Sequence, residues 1–520
     1  MIRVQGAPSP ARAGGIRVLA AVLALALGAA GCGSDAGGGS GGGEEASFTG
    51  SGHAGVDAAN TRSAGGEIDS STVGDLAVAW TAPIPGASNF GSYASTPVIA
   101  KGVIYSQDLG SNVQALSLES GEVLWSRIYE QPDIGPNGIV VAEGKVFGAT
   151  PTEAFALDQK TGKQLWSTVL PRNEHEGIDM APGYDDGMVY VSTVPLNVNE
   201  LYQGEGVGVL WALDARTGKK EWRFDTVPQG LWGNVKVNAG GGLWYPPAFD
   251  GKGSMYFGTG NPSPFPGTPQ FPWGSSRPGP NLYTNSLIKM DAKTGEMDWY
   301  HQVTPHDVYD WDFQGPPILM KAGGRDLVVA AGKSGIVLAA DPRTGDVIWQ
   351  RKVGKHNGHD DDGLLAMRGE TEKIKVPDTV YPGSLGGVIA PMSTDGELVF
   401  APVVNSPAEI LSGSEKQEPG PSTGEVVALD AASGKVVWKE ELGTPAFGAT
   451  TVVNDLVFAT SYEGAVSAFD AKTGQVVWRE RLPAGTNAGV MAHGDTLIAP
   501  AGVAAAAGQT PKIVAYRLGG

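Results

Sequence analysis

Short runs of alternating apolar and polar residues, each followed by a tight polar turn, recur along most of this chain. The recurring unit reads apolar-x-Ala-apolar-Asp-x-x-Thr/Ser-Gly-x-x-x-Trp. Alternation with period two is typical of β-strands, and the period of 3.6 that marks an amphipathic helix is absent. Each unit therefore predicts two antiparallel strands joined by a turn. Complete copies occupy 155–166, 211–222, 288–299, 338–349, 427–438 and 467–478, and an imperfect copy at 115–125 has Ser117 in place of Asp.

The residues that recur in the complete copies of the unit have distinct physical roles. Asp caps its own turn backbone and Gly accepts a positive φ, so the pair closes a tight turn. We expect the closing Trp to fill the gap between neighbouring sheets. Successive closing tryptophans lie between 40 residues (Trp438 to Trp478) and 89 residues (Trp349 to Trp438) apart. Each interval can hold one four-stranded sheet, with loop insertions in the longer ones.

The two ends of the repeat region supply half a unit each. Trp80, in DLAVAW, lacks the preceding Asp-turn half, and KIVAYRL at 512–518 resembles that half with nothing after it. Joining them would complete one more sheet and remove the exposed edges. The sequence therefore predicts an all-β, eight-bladed β-propeller over residues 61–520, closed by N- and C-terminal strands, in which the tryptophans are packing residues.

The first 60 residues have a different composition. A basic front that includes Arg3, Arg12 and Arg17 precedes an apolar run at 18–27, which is too short to cross a bilayer. Small residues then lead to Cys32, the single cysteine of the chain. We therefore predict a lipoprotein signal peptide at 1–31, lipidation of Cys32 and a flexible Gly/Ser linker through residue 60. The alternative for Cys32 is an unmodified thiol.

Charge and length narrow the classes of function. The net charge is −18 and no basic tract occurs, so nucleic acid is not an expected partner. The prediction is an exported protein, attached to the outer face of a membrane by its lipid alone. The roughly 470 residues after the linker exceed one ordinary core, which agrees with a repeat architecture.

Four segments interrupt the repeat, at 240–249, 257–265, 277–313 and 330–341. The third contains NLYT-x-S, Thr-Gly-x-x-x-Trp-x-x-Gln and T-P-x-D in succession, and its T-P-H-D occurs in no other copy. In this stretch the chain resembles the quinoprotein alcohol dehydrogenases, which bind pyrroloquinoline quinone at the centre of an eight-bladed propeller. The resemblance is specific over about 210–340 and implies pyrroloquinoline quinone and Ca²⁺ as cofactors.

The resemblance implies roles for individual residues. Asp307 matches the catalytic base and is also expected at the metal. Asn261 matches a calcium ligand, and Glu205 is the best candidate for the calcium-ligating Glu. Trp244 matches the aromatic floor beneath the quinone. Lys333 matches the basic residue beside the quinone carbonyl oxygens.

These residue types also suit that chemistry on physical grounds. A carboxylate near a divalent cation stays ionised and can accept a hydroxyl proton. An amide oxygen is a hard ligand suited to Ca²⁺, and a cation favours charge that develops on a quinone oxygen. The alternatives are structural. Asp307, Asp310 and Asp312 would be turn or propeller-face carboxylates, and Trp244 would be a packing residue. Asn261 would form a turn with Pro262, and Lys333 would be a solvated turn residue.

The chain also departs from the family pattern. Asn137 stands where the family has an Arg, and no adjacent cysteine pair is possible. Tyr309 occupies the position of the additional Asp of the lanthanide-using branch, which favours calcium. His356 and His359 lie in a stretch, 355–363, that we expect to be a solvated loop, with a transition-metal site as the alternative.

Two functions of different classes follow. The first is a dehydrogenase that oxidises an alcohol or sugar-like hydroxyl by hydride transfer to the quinone. Because no Cys-x-x-Cys-His occurs, its electrons would pass to a separate acceptor, either a cytochrome or the quinone pool. The second is a non-catalytic, lipid-anchored propeller that acts as an envelope scaffold or a ligand-binding protein.

Overall fold

The computed structural model describes residues 52–196, 204–228, 230–415 and 418–519. Within these residues, eight sheets of four antiparallel strands form the blades of a propeller, which confirms the predicted all-β, eight-bladed fold. We number the blades 1 to 8 along the chain. The predicted signal peptide, Cys32 and the linker as far as residue 51 lie outside the described residues.

The first four blades each contain four consecutive main strands. Their bounds are: blade 1, Val98–Ala100, Val103–Gln107, Val113–Ser117 and Val123–Arg127; blade 2, Ile139–Ala142, Lys145–Ala149, Glu153–Asp158 and Gln164–Val169; blade 3, Gly183–Asp185, Met188–Pro195, Val209–Asp214 and Lys220–Asp225, with the short strand Glu176–Gly177 added; blade 4, Ala248–Phe249, Ser254–Gly258, Ser286–Asp291 and Met297–Gln302.

Blades 5 to 7 continue this order, and blade 8 combines both ends of the chain. Their bounds are: blade 5, Ile318–Ala322, Arg325–Ala331, Ile336–Ala340 and Val347–Lys352; blade 6, Ser393–Thr394, Leu398–Asn405, Thr423–Asp430 and Val436–Leu442; blade 7, Thr451–Val453, Leu456–Thr460, Ala465–Asp470 and Val476–Arg481, with Ser63–Ala64 added in parallel; blade 8, Met491–His493, Thr496–Ala501, Lys512–Leu518 and Leu76–Pro83.

The remaining elements are short. They are the pair Ala239–Gly240 and Pro262–Ser263, the three strands Asp378–Val380, Ala408–Ile410 and Glu418–Pro419, the α-helix Asp362–Met367, and the 3₁₀ turns Val73–Asp75, Pro272–Gly274 and Thr371–Lys373. No helix in the described part of the chain is both long enough and apolar enough to cross a bilayer.

The turn of each repeat unit packs against the closing tryptophan of the preceding blade. In blade 4, Asp291 accepts hydrogen bonds from the backbone N–H and the hydroxyl of Thr294, at 2.7 and 2.8 Å. Gly295 has a φ of +72°, and a Cβ at this position would come within 2.6 Å of the Trp222 ring. Trp222 in turn donates from Nε1 to the carbonyl oxygen of Ala292 at 3.2 Å. Glycine is therefore required both by the backbone and by the neighbouring indole.

Both ends of the described chain meet in blade 8. The strand Leu76–Pro83 pairs antiparallel with Lys512–Leu518, from Leu76 opposite Leu518 to Pro83 opposite Lys512. Trp80 donates from Nε1 to the carbonyl oxygen of Leu118, at 3.1 Å, in the turn of blade 1.

The segment 52–64 passes along the first strands of several blades. Its carbonyl oxygens accept hydrogen bonds from first-strand N–H groups of blades 2, 4, 5, 6 and 7. Residues 52–60, which the sequence placed in the linker, therefore lie against the propeller. The donors are Val141 to Gly52, Phe249 to Ala58, Leu319 to Ala59, Thr394 to Thr61 and Val452 to Arg62.

A small apolar cluster packs over the loop that joins blades 4 and 5. It combines that loop with the insertions that precede and interrupt blade 6. Its buried members are Trp273, Val308, Tyr309, Trp311, Ile374, Val380 and Ile410.

Candidate active site

The loop between blades 4 and 5 carries Asp307, whose carboxylate is fully engaged in hydrogen bonds. Oδ1 accepts the N–H of Tyr309 at 2.7 Å, and Oδ2 accepts the N–H of Trp311 at 2.6 Å and Nδ2 of Asn285 at 3.1 Å. Burial raises the pKa of Asp307, while these bonds and the nearby guanidinium of Arg277 oppose that shift. This carboxylate holds the loop in shape.

The next two carboxylates of the loop, Asp310 and Asp312, point to Lys333. The ammonium of Lys333 lies 2.9 Å from Oδ2 of Asp310 and 2.6 Å from Oδ2 of Asp312. Oδ1 of Asp312 accepts Nε1 of Trp244 at 3.2 Å and the backbone N–H of Asn261 at 2.7 Å. Asp312 therefore brings together three residues that the sequence singled out.

The ion pairs dominate the electrostatics of this group. Burial disfavours the ammonium of Lys333, but Asp310 and Asp312 outweigh it and raise the pKa of Lys333 above its usual value. Burial raises the pKa of Asp310, and Lys333 opposes that shift. Lys333 is therefore a firmly charged cation at this site, and Asp310 is a carboxyl group that gains a proton more readily than an exposed one.

Two further carboxyl groups, Asp133 and Asp179, lie nearby in blades 2 and 3. Gly135 packs directly against Asp179, since a Cβ on that glycine would come within 2.6 Å of the Asp179 Cβ. Burial raises the pKa of Asp133 to about 7. Burial also raises the pKa of Asp179, and the charges of Asp133 and Asp312 add to the shift. Neither oxygen of the Asp179 carboxyl group has a hydrogen-bond partner among the described residues.

A cavity of about 40 Å³ lies at the centre of the ring, lined by residues from all eight blades and from the segment 54–62. Arg62 lines it and donates to the carbonyl oxygens of Ala54 and Thr450, each at 2.7 Å. Burial lowers the pKa of Arg62 to about 10. Asn137 lines the same cavity and donates to the carbonyl oxygen of Asp108 at 2.8 Å. A positive charge is therefore present here, from the N-terminal segment and not from position 137.

The described residues offer oxygen atoms suited to a hard cation, but they do not form a complete set of carboxylate ligands. In the part of the chain that the structure describes, no group of three or more His, Cys, Asp or Glu side chains is placed to hold a metal ion. Oδ1 of Asn261 and Oδ1 of Asp310 accept no hydrogen bond from any described residue. An amide and a carboxylate oxygen fit Ca²⁺, with further ligands supplied by water or a bound group.

Glu205 is not brought to this group. Its exposed side chain lines a surface depression of about 270 Å³ together with Arg172, Asp225 and Trp232. The depression contains none of the other predicted ligands. The structure therefore gives the calcium role predicted for Glu205 no geometric support.

The stretch 355–363, predicted to be a solvated loop, is buried at His359, whose exposed fraction is 3%. Nδ1 of His359 lies 2.6 Å from Asp362, and Nδ1 of His356 lies 2.6 Å from Asp360. The loop prediction is wrong for His359 because two insertions pack against it, which the local composition does not reveal.

The structure brings Trp244, Asn261 and Lys333, which the sequence singled out, together around Asp312. The sequence weighed Asp310 and Asp312 only as structural carboxylates. It missed Asp133 and Asp179. Their positions carry a usable signal, because both lie a few residues before the first strand of a blade, as Trp244 does. In a propeller such residues converge at one end of the axis.

Comparison with known families agrees with this geometry. Residues 184–353 match the model of the glucose/ethanol/alcohol dehydrogenase β-propeller domain. Residues 110–256 and 410–520 match the model of the outer membrane protein assembly factor BamB. The first match contains Trp244, Asn261, Asp310 and Lys333.

Individual relatives show the same likeness over more of the chain. The quinohemoprotein alcohol dehydrogenase of Comamonas testosteroni is 28% identical over 490 residues, which cover 79% of this chain and 66% of that protein. Quinohemoprotein alcohol dehydrogenase ADH IIB of Pseudomonas putida is 32% identical over 330 residues, which cover 56% of this chain and 45% of that protein. The chain is therefore similar to the quinoprotein alcohol dehydrogenases over most of its length.

The solved structures place this quinoprotein-like propeller in the same fold. The crystal structure of quinohemoprotein alcohol dehydrogenase from Comamonas testosteroni superposes with a TM-score of 0.78 at 24% identity, covering 92% of this chain and 82% of that chain. The matched part of the quinoprotein-like propeller spans between about half and two thirds of the length of the two relatives above.

The residues present fit the cofactors of such a protein in type. Trp244 is a half-buried indole, Lys333 is a charged donor, and Asn261 and Asp310 each offer a free oxygen. The group contains more acidic than basic side chains. Four buried carboxyl groups (Asp133, Asp179, Asp310 and Asp312) lie near one ammonium group, that of Lys333. A bound cation would offset that excess.

Proposed function

We propose that this chain is a quinone-dependent oxidoreductase that removes hydride from an alcohol or a sugar-like hydroxyl group. The observation that carries the proposal is the convergence of Trp244, Asn261 and Lys333 on Asp310 and Asp312. An aromatic face, a charged donor and an available carboxylate oxygen are the groups that such a reaction requires.

Within this proposal Asp310 accepts the hydroxyl proton. Its Oδ1 is free and its side chain keeps 11% of its surface exposed, so a substrate can reach it. The raised pKa brings Asp310 closer to the range in which a general base works well. Asp307, the base predicted from the sequence, stays a candidate, but three hydrogen-bond donors already occupy its oxygens.

Pyrroloquinoline quinone and Ca²⁺ are the cofactors we propose. Bound quinone would supply the two-electron acceptor of the reaction. Trp244 would support its plane, and Lys333 would donate to a carbonyl oxygen while its own charge stays fixed by Asp310 and Asp312. Asn261 would provide a protein oxygen for Ca²⁺, with further ligands from water or the bound quinone, because the free oxygen of Asp310 is assigned to the proton.

Electron transfer out of the site calls for a partner. We propose a separate acceptor, a cytochrome or a membrane quinone, because the sequence contains no haem-attachment motif.

Reconstitution tests the proposal directly. The purified protein is mixed with pyrroloquinoline quinone and Ca²⁺ and assayed for dye reduction with a panel of alcohols and aldoses. We expect substrate-dependent turnover that Asp310→Asn abolishes while quinone binding persists. Turnover that survives Asp310→Asn but not Asp307→Asn would return the base to Asp307. Absence of any quinone-induced spectral change or thermal shift would refute the cofactor assignment.

A second candidate is a non-catalytic propeller of the envelope, acting as a scaffold or ligand-binding protein. The match of two segments to the BamB model favours it, as does the excess of carboxyl groups. Affinity capture of membrane partners separates the two. Under this alternative, capture is unchanged by Asp310→Asn, and quinone has no effect on the protein.

We also propose export and lipid attachment at Cys32, on the outer face of the cell membrane. The basic front, the short apolar run and the small residues before Cys32 support this. Cys32→Ser should release the protein from the membrane fraction. Membrane association that persists in that variant would refute lipid attachment.

A further inference from the structure

A buried chain of hydrogen bonds runs from the surface to the loop that carries Asp310. Tyr309 donates from its hydroxyl to Oδ2 of Asp362 at 2.5 Å, and Nδ1 of His359 lies 2.6 Å from the same oxygen. Nε2 of His359 lies 3.2 Å from Oδ2 of Asp378. The first three residues are nearly inaccessible, while the Asp378 side chain is 40% exposed.

The direction of successive side chains connects this chain to the candidate site. Tyr309 and Trp311 turn toward the insertions of blades 5 and 6, and Asp310 and Asp312 turn toward Lys333. Trp311 is anchored by its Nε1, which donates to the carbonyl oxygen of Pro382 at 3.0 Å. Asp310 is thus a single residue between two anchored aromatic side chains.

The backbone at Asp310 needs such anchoring. Its φ is +64°, in the left-handed region that residues with a side chain adopt at a cost. The rings of Tyr309 and Trp311 pack edge-on at 5.1 Å, which ties the two anchors together. If the Tyr309 hydroxyl lost its acceptor, the loop could relax toward a more favourable φ and turn Asp310 away from Lys333.

We propose that Tyr309, Asp362 and His359 are positioning residues that hold Asp310 in its orientation toward Lys333. Their kinetic effect rests on the proposed function, whereas their effect on the Asp310–Lys333 ion pair does not. Nothing in the repeat predicts this unit, because Asp362 and His359 lie in an insertion.

The charge of His359 links the unit to pH. Three titratable groups face the imidazole of His359: Asp362 of the α-helix, Asp378 of the strand Asp378–Val380, and Tyr309 of the loop between blades 4 and 5. The hydrogen bond to Asp362 raises the pKa of His359, and Asp378 adds to the shift. The contribution of the charged form is therefore complete below the unfolded value of 6.5 and is lost as pH rises through the higher folded value.

The test uses Tyr309→Phe, which removes one hydroxyl, with Tyr300→Phe as its matched control on an exposed tyrosine. The direct readout is the rate at which a small amine reagent modifies Lys333, measured by peptide mass spectrometry relative to Lys289. We expect Tyr309→Phe and His359→Gln to speed the modification of Lys333 about tenfold, as expected for loss of one buried hydrogen bond. Tyr300→Phe should leave that rate unchanged.

In the reconstituted enzyme we expect Tyr309→Phe to lower kcat about tenfold with little change in KM. In His359→Gln the fall of activity above pH 6.5 should disappear from the profile. Unchanged Lys333 reactivity in Tyr309→Phe would overturn the proposal, whatever the activity. Faster Lys333 modification in a protein that shows no turnover would uphold the positioning unit and refute only the proposed function.

Discussion

Four buried aspartates, Asp133, Asp179, Asp310 and Asp312, lie at one end of the propeller axis, and one lysine, Lys333, forms ion pairs with Asp310 and Asp312. Among the described residues no donor reaches the buried carboxyl group of Asp179, and Asp133 has a pKa raised to about 7. Buried carboxyl groups without partners favour the protonated state and destabilise the folded protein once they ionise. Carboxyl groups with pKa values shifted in this way are concentrated at functional sites.

The stability of the metal-free protein should therefore fall as pH rises. The folded pKa of Asp133 and of Asp179 lies above the unfolded value of 3.8, so the folded state binds more protons between the two values. For Asp133 that window runs from about 4 to about 7, and stability decreases across it.

Asp179→Asn should raise Tm at pH 8 by a few degrees and have little effect at pH 4. Thermal unfolding in the presence of a chelator measures the difference. Asp326→Asn, on a side chain that is 61% exposed, is the control and should be neutral at both values. A variant equally stabilised at both pH values would contradict the assignment of the effect to ionisation.

Removing Lys333 should be more damaging than any change on the surface. Lys333→Met leaves Asp310 and Asp312 without their cation, and breaking a buried pair in this way costs about 3–5 kcal/mol. Denaturant unfolding at pH 7 measures the loss. Lys321→Met, on a side chain that is 84% exposed, serves as the control and should change nothing measurable. A small loss in Lys333→Met would mean that the carboxyl groups are protonated in the native state.

The sequence singled out residues that the structure brings together, but it did not indicate which loop carboxylates pair with Lys333. Asp307 and Asp310 are three residues apart in one irregular loop, where no period determines side-chain direction. The positive φ of Asp310 and the hydrogen bonds that engage Asp307 decide it, and both arise from packing against insertions distant in sequence.

Among the structural elements, the turn-and-tryptophan contact is repeated between successive blades. Its turn glycine meets the indole of the preceding blade in seven pairs. Those pairs are Trp80 with Gly121, Trp125 with Gly162, Trp166 with Gly218, Trp222 with Gly295, Trp299 with Gly345, Trp349 with Gly434 and Trp438 with Gly474.

A pair of glycine variants separates the indole contact from the backbone requirement. Gly295 and Gly144 both have a φ of +72°, but only Gly295 lies against an indole, and Gly144 faces open space. Gly144→Ala should cost about 1 kcal/mol for its backbone alone, and Gly295→Ala about 2 kcal/mol more because Trp222 must shift. Denaturant unfolding measures both. Equal losses would show that the indole contact adds nothing.

The strands within the repeat units were predictable from the sequence, whereas the strands in the insertions between the units were not. The strands of the repeat units follow from the alternation and the Asp-to-Gly turn, which are local in sequence. The strands Asp378–Val380 and Ala408–Ile410 lie in the long interval between Trp349 and Trp438, where no unit recurs. Their pairing joins segments about thirty residues apart, and local pattern has no access to such contacts.

For the whole molecule, the charge at the axis sets an order of binding. Pyrroloquinoline quinone carries carboxylates, and it would approach four carboxyl groups that share one ammonium. Under the proposed function, we therefore expect tight quinone binding to need a bound divalent cation. Chelation should weaken quinone affinity by at least about tenfold, as measured by titration calorimetry. In Asp133→Asn/Asp179→Asn the dependence on the cation should shrink, and an unaltered dependence would exclude these two residues as its origin.

The pairing of the strands in blade 8 affects the order in which the propeller can fold during synthesis. Leu76 pairs with Leu518, so the strand Leu76–Pro83 must wait for its partner until blades 1 to 7 have been synthesised. Until then the growing polypeptide holds a strand without its partner and a seven-bladed arc with two open edges. A chain cut short near residue 510 would lack the partner of Leu76–Pro83, and its exposed edges would mark it for aggregation or proteolysis. Closure of the ring thereby depends on a strand that is synthesised after blades 1 to 7.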